Sequence, residues 1–235
     1  MSNFDALKQQ VYECNMALER HGVVIFTFGN ASGIDREQGV FAIKPSGVPY
    51  DQLKPSDMVI VDMEGKIVEG RLRPSSDTGT HRVLYSAFPG IGGVVHTHST
   101  YAVAWAQAVT PLPVLGTTHA DHLHMEVPCT DIMPDDMIRG NYEIETGNQI
   151  VRTFQEKSID PEEVCMVLVG GHGPFAWGKT PEKAVYNSVI LEELAQMGYY
   201  TRQINPAVPP LKESLIQKHY QRKHGPDAYY GQSDK

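Results

Sequence analysis

The chain has 235 residues, of which 41% are hydrophobic and 20% charged, a composition typical of a globular protein with a sizeable core. Its formal net charge of −8 argues against a generic binding surface for nucleic acids or anionic membranes. Cys14, Cys129 and Cys165 are too widely spaced for a disulfide framework or a cysteine-based zinc site, and neither a secretory signal nor a membrane-spanning run is apparent, so a cytoplasmic location is expected.

Helices are predicted where apolar residues recur at helical spacing, and strands where they alternate or run together between turn residues. In chain order, the predicted elements are a helix (5–20), strands (23–28 and 40–44) joined by a turn (29–33), two short strands between 57 and 68, a helix (81–87), a central strand (92–98), a helix (100–108), a strand (114–117), a helix (147–157), strands (164–169 and 175–177) and helices (181–202 and 211–223). Neither a repeat nor a long linker divides them. The pattern predicts one α/β domain whose mixed sheet is covered by helices.

The central strand ends in a His-x-His pair. Successive residues of a strand point to opposite faces, so His96 and His98 point to the same face, roughly 7 Å apart at Cα. His172 follows another buried strand, in a Gly-Gly-His-Gly-Pro loop, and Asp77 offers a carboxylate. Such groups can bind Zn²⁺, Mn²⁺ or Co²⁺. The alternatives are unrelated histidines near strand ends and an aspartate that caps a helix.

Small polar residues and one lysine gather in three predicted turns. Backbone N–H groups, hydroxyls and a lysine suit a phosphate group, although each of these residues is also ordinary in a turn. The sequence has neither a Gly-x-Gly-x-x-Gly nor a Gly-Lys-Ser pattern, so a nucleotide is not indicated. The candidate phosphate-binding residues are Asn30, Lys44, Ser46, Gly47, Ser75 and Ser76.

A polar loop and the C-terminal segment are further candidates. Asp121 lies in a loop with His119, His122 and His124, where a carboxylate could transfer protons, although a polar surface loop is the simpler interpretation. Basic residues follow residue 217 and a pair of tyrosines stands at 229–230, where chain ends are usually frayed. This composition suggests instead that the end of the chain is held, for example against another subunit.

Taken together, these residues resemble the class II aldolase/adducin family. The similarity runs from Leu7 to Gln232 and rests on seven motifs in the family's order. The motifs are Thr-Phe-Gly-Asn (27–30), Ile-Lys-Pro-Ser-Gly-Val (43–48), Pro-Ser-Ser-Asp-Thr (74–78), His-Thr-His-Ser (96–99), Gly-Thr-Thr-His-Ala-Asp (116–121), Gly-His-Gly-Pro-Phe-Ala-Trp-Gly (171–178), and Arg-Lys-His-Gly followed by Tyr-Tyr-Gly-Gln (222–232). Seven motifs in one order are far more specific than any one of them.

The resemblance implies an α/β/α sandwich with a central, largely antiparallel sheet, formed by a single domain over residues 1–235. It also implies a homotetramer with fourfold symmetry and active sites between adjacent subunits. A C-terminal helix and tail, about residues 211–235, would complete the neighbouring subunit's site. The substrate would be a phosphorylated pentulose, with no role for nucleic acid or membrane.

The same resemblance implies a role for each candidate residue. One zinc ion per subunit, which Mn²⁺ or Co²⁺ could replace, would be bound by His96, His98 and His172, with Asp77 at or near the ion. The phosphate would be held by the six turn residues named above. Acid/base catalysis would come from Asp121 on one side and from Tyr230 of the neighbouring subunit on the other. Residues that the family brings across the same interface are matched by Glu143, His219 and Arg222.

The family resemblance favours epimerisation at C4 of a ketopentose phosphate, by retro-aldol cleavage and re-addition through a metal-stabilised enediolate. A sugar-phosphate aldolase on the same scaffold is the alternative. Such aldolases typically carry glutamate at the position of Asp77, and this difference, with Asp121 in a His-Ala-Asp context, favours the epimerase. A metal-free binding module like the adducin head domain is a third, which the three histidines argue against. This sequence departs from the usual epimerase pattern at Phe28, at His122 and His124, and at residues 170–171. These departures flank the site and bear on the choice of sugar.

Overall fold

The computed structural model describes residues 3–225 and residue 228. The helices among them are α1 (Asp5–Arg20), α2 (Thr78–Ala87), α3 (Thr100–Gln107), α4 (Thr117–Ala120), α5 (Asp135–Ile138), α6 (Tyr142–Glu156), α7 (Pro181–Ile204) and α8 (Glu213–His224). The strands are β1 (Asn30–Asp35), β2 (Val40–Ile43), β3 (Val59–Asp62), β4 (Ile67–Glu69), β5 (Gly93–His96), β6 (Met166–Leu168) and β7 (Pro174–Gly178). No helix in this part of the chain combines the length and apolar character needed to cross a bilayer.

One seven-stranded sheet, in the order β4-β3-β2-β1-β5-β7-β6, organises the described chain. Every pair of neighbouring strands is antiparallel. The mixed sheet inferred from alternating helices and strands is therefore wrong, because β5 enters the sheet beside β1 and runs in the opposite direction. The central antiparallel sheet implied by the family resemblance is confirmed.

Helices cover both faces of the sheet. On β2, Phe41 and Ile43 belong to the core that includes Leu84 of α2 and Ile150 of α6. Their neighbours Val40 and Ala42 belong to a second core, formed with α1 and the first half of α7. The alternation of side chains along a strand thus divides the apolar residues between two helical layers.

The first strand does not lie where it was predicted. Residues 23–28 form no strand, because Ile25 and Phe26 are 59% and 77% exposed and Phe26 has a positive φ of 54°. The predicted turn, residues 29–33, instead contributes most of β1. Asn15 of α1 donates a side-chain hydrogen bond to the Ala31 carbonyl (3.0 Å) and accepts one from its N–H (2.9 Å). Small residues form the strand here because they let α1 pack directly on its backbone.

Other boundaries also differ from the predicted ones. Residues 114–117 form no strand, and only Leu112 pairs, through an isolated bridge to Val127. Pro111 and Pro113 lack the N–H groups that a continuing ladder needs. Helices α2 and α6 begin at Thr78 and Tyr142, earlier than predicted, because their first turns are polar and show no apolar periodicity. Helix α5 was not predicted.

Three glycines form a row across the sheet beneath the start of α7. Gly93 of β5 is the register partner of Gly33 on one side and of Gly178 on the other. A Cβ atom on Gly93 would lie 2.4 Å from Pro181 Cα, and one on Gly33 would lie 2.6 Å from Pro181 Cγ. The row therefore lets the first turn of α7 lie directly on the strand that ends in His96.

The substitution Gly93→Ala is expected to lower the free energy of unfolding by about 2–3 kcal/mol, because the new methyl group would overlap backbone atoms rather than a flexible side chain. Chemical denaturation of both proteins measures the difference. Gly116→Ala is a suitable control, since φ at Gly116 is −152° and no atom lies within 4 Å of the added Cβ. Equal losses for the two variants would contradict the packing argument.

Candidate functional site

A cavity of about 440 Å³ opens at one edge of the sheet. Because the strands are antiparallel, the ends of β2, β5 and β6 meet the starts of β1 and β7 at this edge, together with the N-termini of α2 and α6. The lining residues are Thr27, Phe28, Gly29, Asn30, Lys44, Pro45, Ser46, Gly47, Ser75, Ser76, Asp77, His96, His98, Tyr142, Glu143 and His172. The predicted metal-binding and phosphate-binding residues thus all line one cavity, although they are up to 142 positions apart (172 − 30).

Three histidines form the densest polar cluster of this cavity. One nitrogen each from His96, His98 and His172 lies within 4.8 Å of the others. The Nε2 atoms of His96 and His98 are 3.1 Å apart, close to the roughly 3.4 Å between ligand nitrogens of a tetrahedral zinc ion with bonds of about 2.0–2.1 Å. The donor set and its spacing therefore fit a divalent transition-metal ion.

The ring of His96 is oriented by contacts on its other side. Its Nδ1 donates a hydrogen bond to the Pro174 carbonyl at 2.9 Å, and the ring stacks on Phe175 at 4.2 Å. A proton on Nδ1 leaves the Nε2 lone pair for a metal. Burial lowers the pKa of His172 to about 4, with smaller contributions from His96 and His98. Burial also lowers the pKa of His98. Both imidazoles are thus neutral at pH 7, as metal binding requires.

Asp77 lies beside this cluster. It occupies the N-cap position of α2, but its side chain makes no capping hydrogen bond. Its Oδ2 instead accepts hydrogen bonds from Asn30 Nδ2 at 2.7 Å and from Ser75 Oγ at 3.3 Å. Burial raises the pKa of Asp77, but nearby His96 and His81 and the hydrogen bond from Asn30 outweigh it, so the pKa lies below its usual value. The carboxylate faces the cavity but is not one of the mutually close ligand atoms.

Lys44 is the cation of the cavity. Its side chain is 1% exposed, and its Nζ lies 3.4 Å from the Thr27 carbonyl and 3.5 Å from the Pro45 carbonyl. No carboxylate of the described residues forms an ion pair with it. Burial lowers its pKa to about 8. A buried ammonium without a counter-ion, in a cavity lined by serine hydroxyls, is suited to an anionic ligand.

Asp121 does not line this cavity. It follows α4 and is held by α8, where its carboxylate accepts hydrogen bonds from His219 Nδ1 (2.9 Å) and from Arg222 Nε (3.0 Å) and Nη2 (2.8 Å). Burial raises the pKa of Asp121, but these hydrogen bonds and the charge of Lys223 hold it below its usual value. The structure therefore joins three of the predicted residues in a second cluster. Tyr230 lies outside the described residues.

The histidines near Asp121 have separate partners. His119 is buried, and its Nε2 is 3.1 Å from the Met125 carbonyl, while burial lowers its pKa to about 4. His124 lies 3.9 Å from Glu163, and the ring of His122 packs on Tyr186 at 5.7 Å between centroids. In the described chain none of the three lines the cavity, and their contacts are those of structural residues.

Tyr142 is a cavity residue that the sequence reasoning missed. Its hydroxyl lies 3.3 Å from Nδ1 of His172. Because the helix was predicted to begin at residue 147, Tyr142 was assigned to the preceding loop, and it belongs to no recognised motif. Its neighbour Glu143, which the family resemblance singled out, was the one available signal.

Comparisons with known proteins identify relatives of similar sequence and structures of similar fold. The family model described as Class II Aldolase and Adducin N-terminal domain matches residues 9–199. A Salmonella paratyphi B protein named L-ribulose-5-phosphate 4-epimerase UlaF is 54% identical over 226 residues, which cover 96% of this chain and 98% of that protein. An L-fuculose 1-phosphate aldolase structure has a TM-score of 0.78 at 23% identity, with coverage of 94% and 97%, and this likeness concerns the fold. The L-fuculose-1-phosphate aldolase of Thermus thermophilus is 29% identical, with a TM-score of 0.65 and coverage of 87% and 98%.

Proposed function

The chain belongs to the class II aldolase and adducin family, and from this membership we propose that it is an L-ribulose-5-phosphate 4-epimerase, which interconverts L-ribulose 5-phosphate and D-xylulose 5-phosphate. The observation that carries the proposal is one cavity that holds both a histidine trio and a buried lysine, for which the described residues supply no carboxylate partner. A metal-binding group and an anion-binding group side by side suit a phosphorylated sugar. Identity of 54% to a relative with this name, over nearly the whole chain, supports the same reaction.

The metal would be zinc, which Mn²⁺ or Co²⁺ could replace, bound by His96, His98 and His172 with Asp77 beside it. When bound, the ion supplies Lewis-acid stabilisation for negative charge on the sugar oxygens. The chain's own residues prepare the site, because the Pro174 carbonyl fixes the His96 tautomer and Asn30 keeps the Asp77 carboxylate turned toward the cavity.

The phosphate would be held by Lys44 and by the neighbouring turn residues. Asn30, Ser46, Gly47, Ser75 and Ser76 line the same cavity as Lys44, which directly follows β2. Gly47 has a φ of +70°, a conformation that glycine adopts without strain. An anchored phosphate keeps one end of the substrate in place while the reacting end changes its orientation.

Inversion at C4 needs a carbon–carbon cleavage, because the hydrogen on C4 is not acidic. A base takes the proton of the C4 hydroxyl as the C3–C4 bond breaks, which gives glycolaldehyde phosphate and a three-carbon fragment that carries the negative charge. The aldehyde turns over, the bond re-forms on its other face, and an acid returns a proton to the new hydroxyl. Asp121 and Tyr230 would serve as these acid/base groups, one for each epimeric hydroxyl.

This assignment needs more than one subunit. Since Asp121 does not line the cavity of its own chain, the pair of α4 and α8 would face the cavity of an adjacent subunit, in a homotetramer with fourfold symmetry. His219 and Arg222 would hold Asp121 in place, and Glu143, which lines the receiving cavity, would meet them there. Ile25 and Phe26, which directly precede the cavity-lining Thr27 in the chain, are exposed and support a contact surface there.

A coupled assay for D-xylulose 5-phosphate, started from L-ribulose 5-phosphate, tests the proposal. We expect turnover by the zinc-loaded protein, its loss on chelation and its recovery when zinc is restored. Full turnover by metal-free protein would contradict the proposed mechanism. Release of free dihydroxyacetone and glycolaldehyde phosphate at rates that match epimerisation would favour a sugar-phosphate aldolase, the function of the structurally similar fuculose enzymes.

A further inference from the structure

Tyr142 reaches one of the three clustered histidines from outside the motifs. Its hydroxyl lies 3.3 Å from His172 Nδ1, and the two ring centroids are 6.0 Å apart. Among the described residues, Tyr142 is the one hydrogen-bond partner of the His172 imidazole. His96, by contrast, is oriented by a backbone carbonyl, which no substitution of a side chain can remove.

The backbone that carries Tyr142 is held firmly against α2. Thr80 Oγ1 of α2 donates a hydrogen bond to the Glu143 carbonyl at 2.6 Å, and within α6 Thr146 Oγ1 donates one to the Tyr142 carbonyl at 2.9 Å. The two helices approach closely at Gly147, where an added Cβ would lie 2.7 Å from Val83 Cβ. The first turn of α6 is thus fixed to the helix that begins beside Asp77, so the backbone from which the Tyr142 ring reaches His172 has a defined position.

We propose that Tyr142 is a positioning residue for His172: its phenol oxygen accepts the Nδ1 proton and thereby holds the ring with Nε2 free to bind the metal. This inference rests on the metal site of the proposed function. A partner on the second nitrogen of a ligating histidine fixes both its tautomer and its ring orientation, and loss of such a partner typically weakens metal binding about 10–100-fold.

The test compares the zinc affinity of three proteins by competition with a chromophoric chelator. Tyr142→Phe keeps the ring and removes only the oxygen, and we expect it to bind zinc about 10–100-fold more weakly than the unsubstituted chain. Tyr200→Phe is the matched control, because it also removes a hydroxyl that hydrogen-bonds to another side chain, Tyr101 at 2.8 Å, away from the cavity. Its zinc affinity is expected to equal that of the unsubstituted chain.

The visible spectrum of bound Co²⁺ provides a second readout, which reports the ligand geometry directly. We expect Tyr142→Phe to change the d–d bands and Tyr200→Phe to leave them unaltered, with circular dichroism the same for all three proteins. Unchanged zinc affinity together with an unchanged cobalt spectrum in Tyr142→Phe would overturn the inference. Failure of the unsubstituted chain to bind either ion would instead overturn the metal site, and with it the proposed function.

Discussion

His98→Asn is expected to abolish zinc binding and to lower kcat/KM by at least about 10³-fold. Without the Lewis acid, the transition state loses several kcal/mol of stabilisation, so the activation barrier rises. His98 contributes one of the three clustered nitrogens, at 3.1 Å from His96 Nε2. Asparagine is similar in size but has no imidazole. Metal analysis of the purified variant, together with the coupled epimerase assay, measures both effects.

His21→Asn is the control for this prediction. His21 is the exposed residue that directly follows α1, and no described contact links it to the cavity. We expect its zinc content and its turnover to match those of the unsubstituted chain. A His98→Asn protein that epimerised at the normal rate without bound metal would refute the role given to the histidine trio.

Lys44→Gln is expected to raise KM for the phosphorylated substrate about 10–100-fold, the equivalent of a charge-assisted hydrogen bond of about 1.5–3 kcal/mol. Lys44 is buried and has no carboxylate partner among the described residues, so it can give its full charge to a phosphate. Steady-state kinetics of the variant gives the change in KM. Lys157→Gln, at the exposed end of α6, should leave KM unaltered.

Because Lys44 is titratable, KM is expected to depend on pH. Burial lowers the pKa of Lys44 to about 8, so the free protein loses this charge as the pH rises through 8, and KM should increase there. At the same group, a rising pH has a favourable effect on the free energy of unfolding. Between pH 8 and the ordinary lysine pKa of 10.5, the unfolded chain binds more protons at this lysine than the folded chain does, so stability rises with pH over this range. A KM that stays constant from neutral to alkaline pH would contradict the assignment of Lys44 to the phosphate site.

Much of the fold follows from local sequence patterns. Helix α7 begins at Pro181 as predicted, because Thr180 Oγ1 accepts a hydrogen bond from the Lys183 N–H and proline suits the first helical position. The prediction of a strand at residues 23–28 was wrong because tertiary packing places β1 elsewhere. Its β-branched and aromatic residues indicate a strand, but close packing of α1 on Ala31 places β1 among small residues with low strand propensity.

Some features of the candidate site could likewise be predicted from local sequence, and others could not. The spacing of His96 and His98 at the end of a predicted strand indicated that they lie together, although β5 ends at His96 and His98 lies just beyond it. The motif residues of the phosphate loops could be named from the family resemblance. The partners of these residues could not, because contacts such as Asn30 with Asp77 join segments that are distant in sequence. Tyr142 had no motif and lay outside its predicted helix.

The sequence by itself determined the ligand types: three imidazoles, one lysine and a set of small polar turn residues. Only the tertiary structure decided that these side chains share one cavity, that Asp77 turns from capping α2 toward Asn30, and that Asp121 pairs with His219 and Arg222 of α8. The physical reason is that antiparallel strands bring distant loops to one edge of the sheet. Which loops meet there depends on strand order and helix packing, and both are set by contacts across the whole chain.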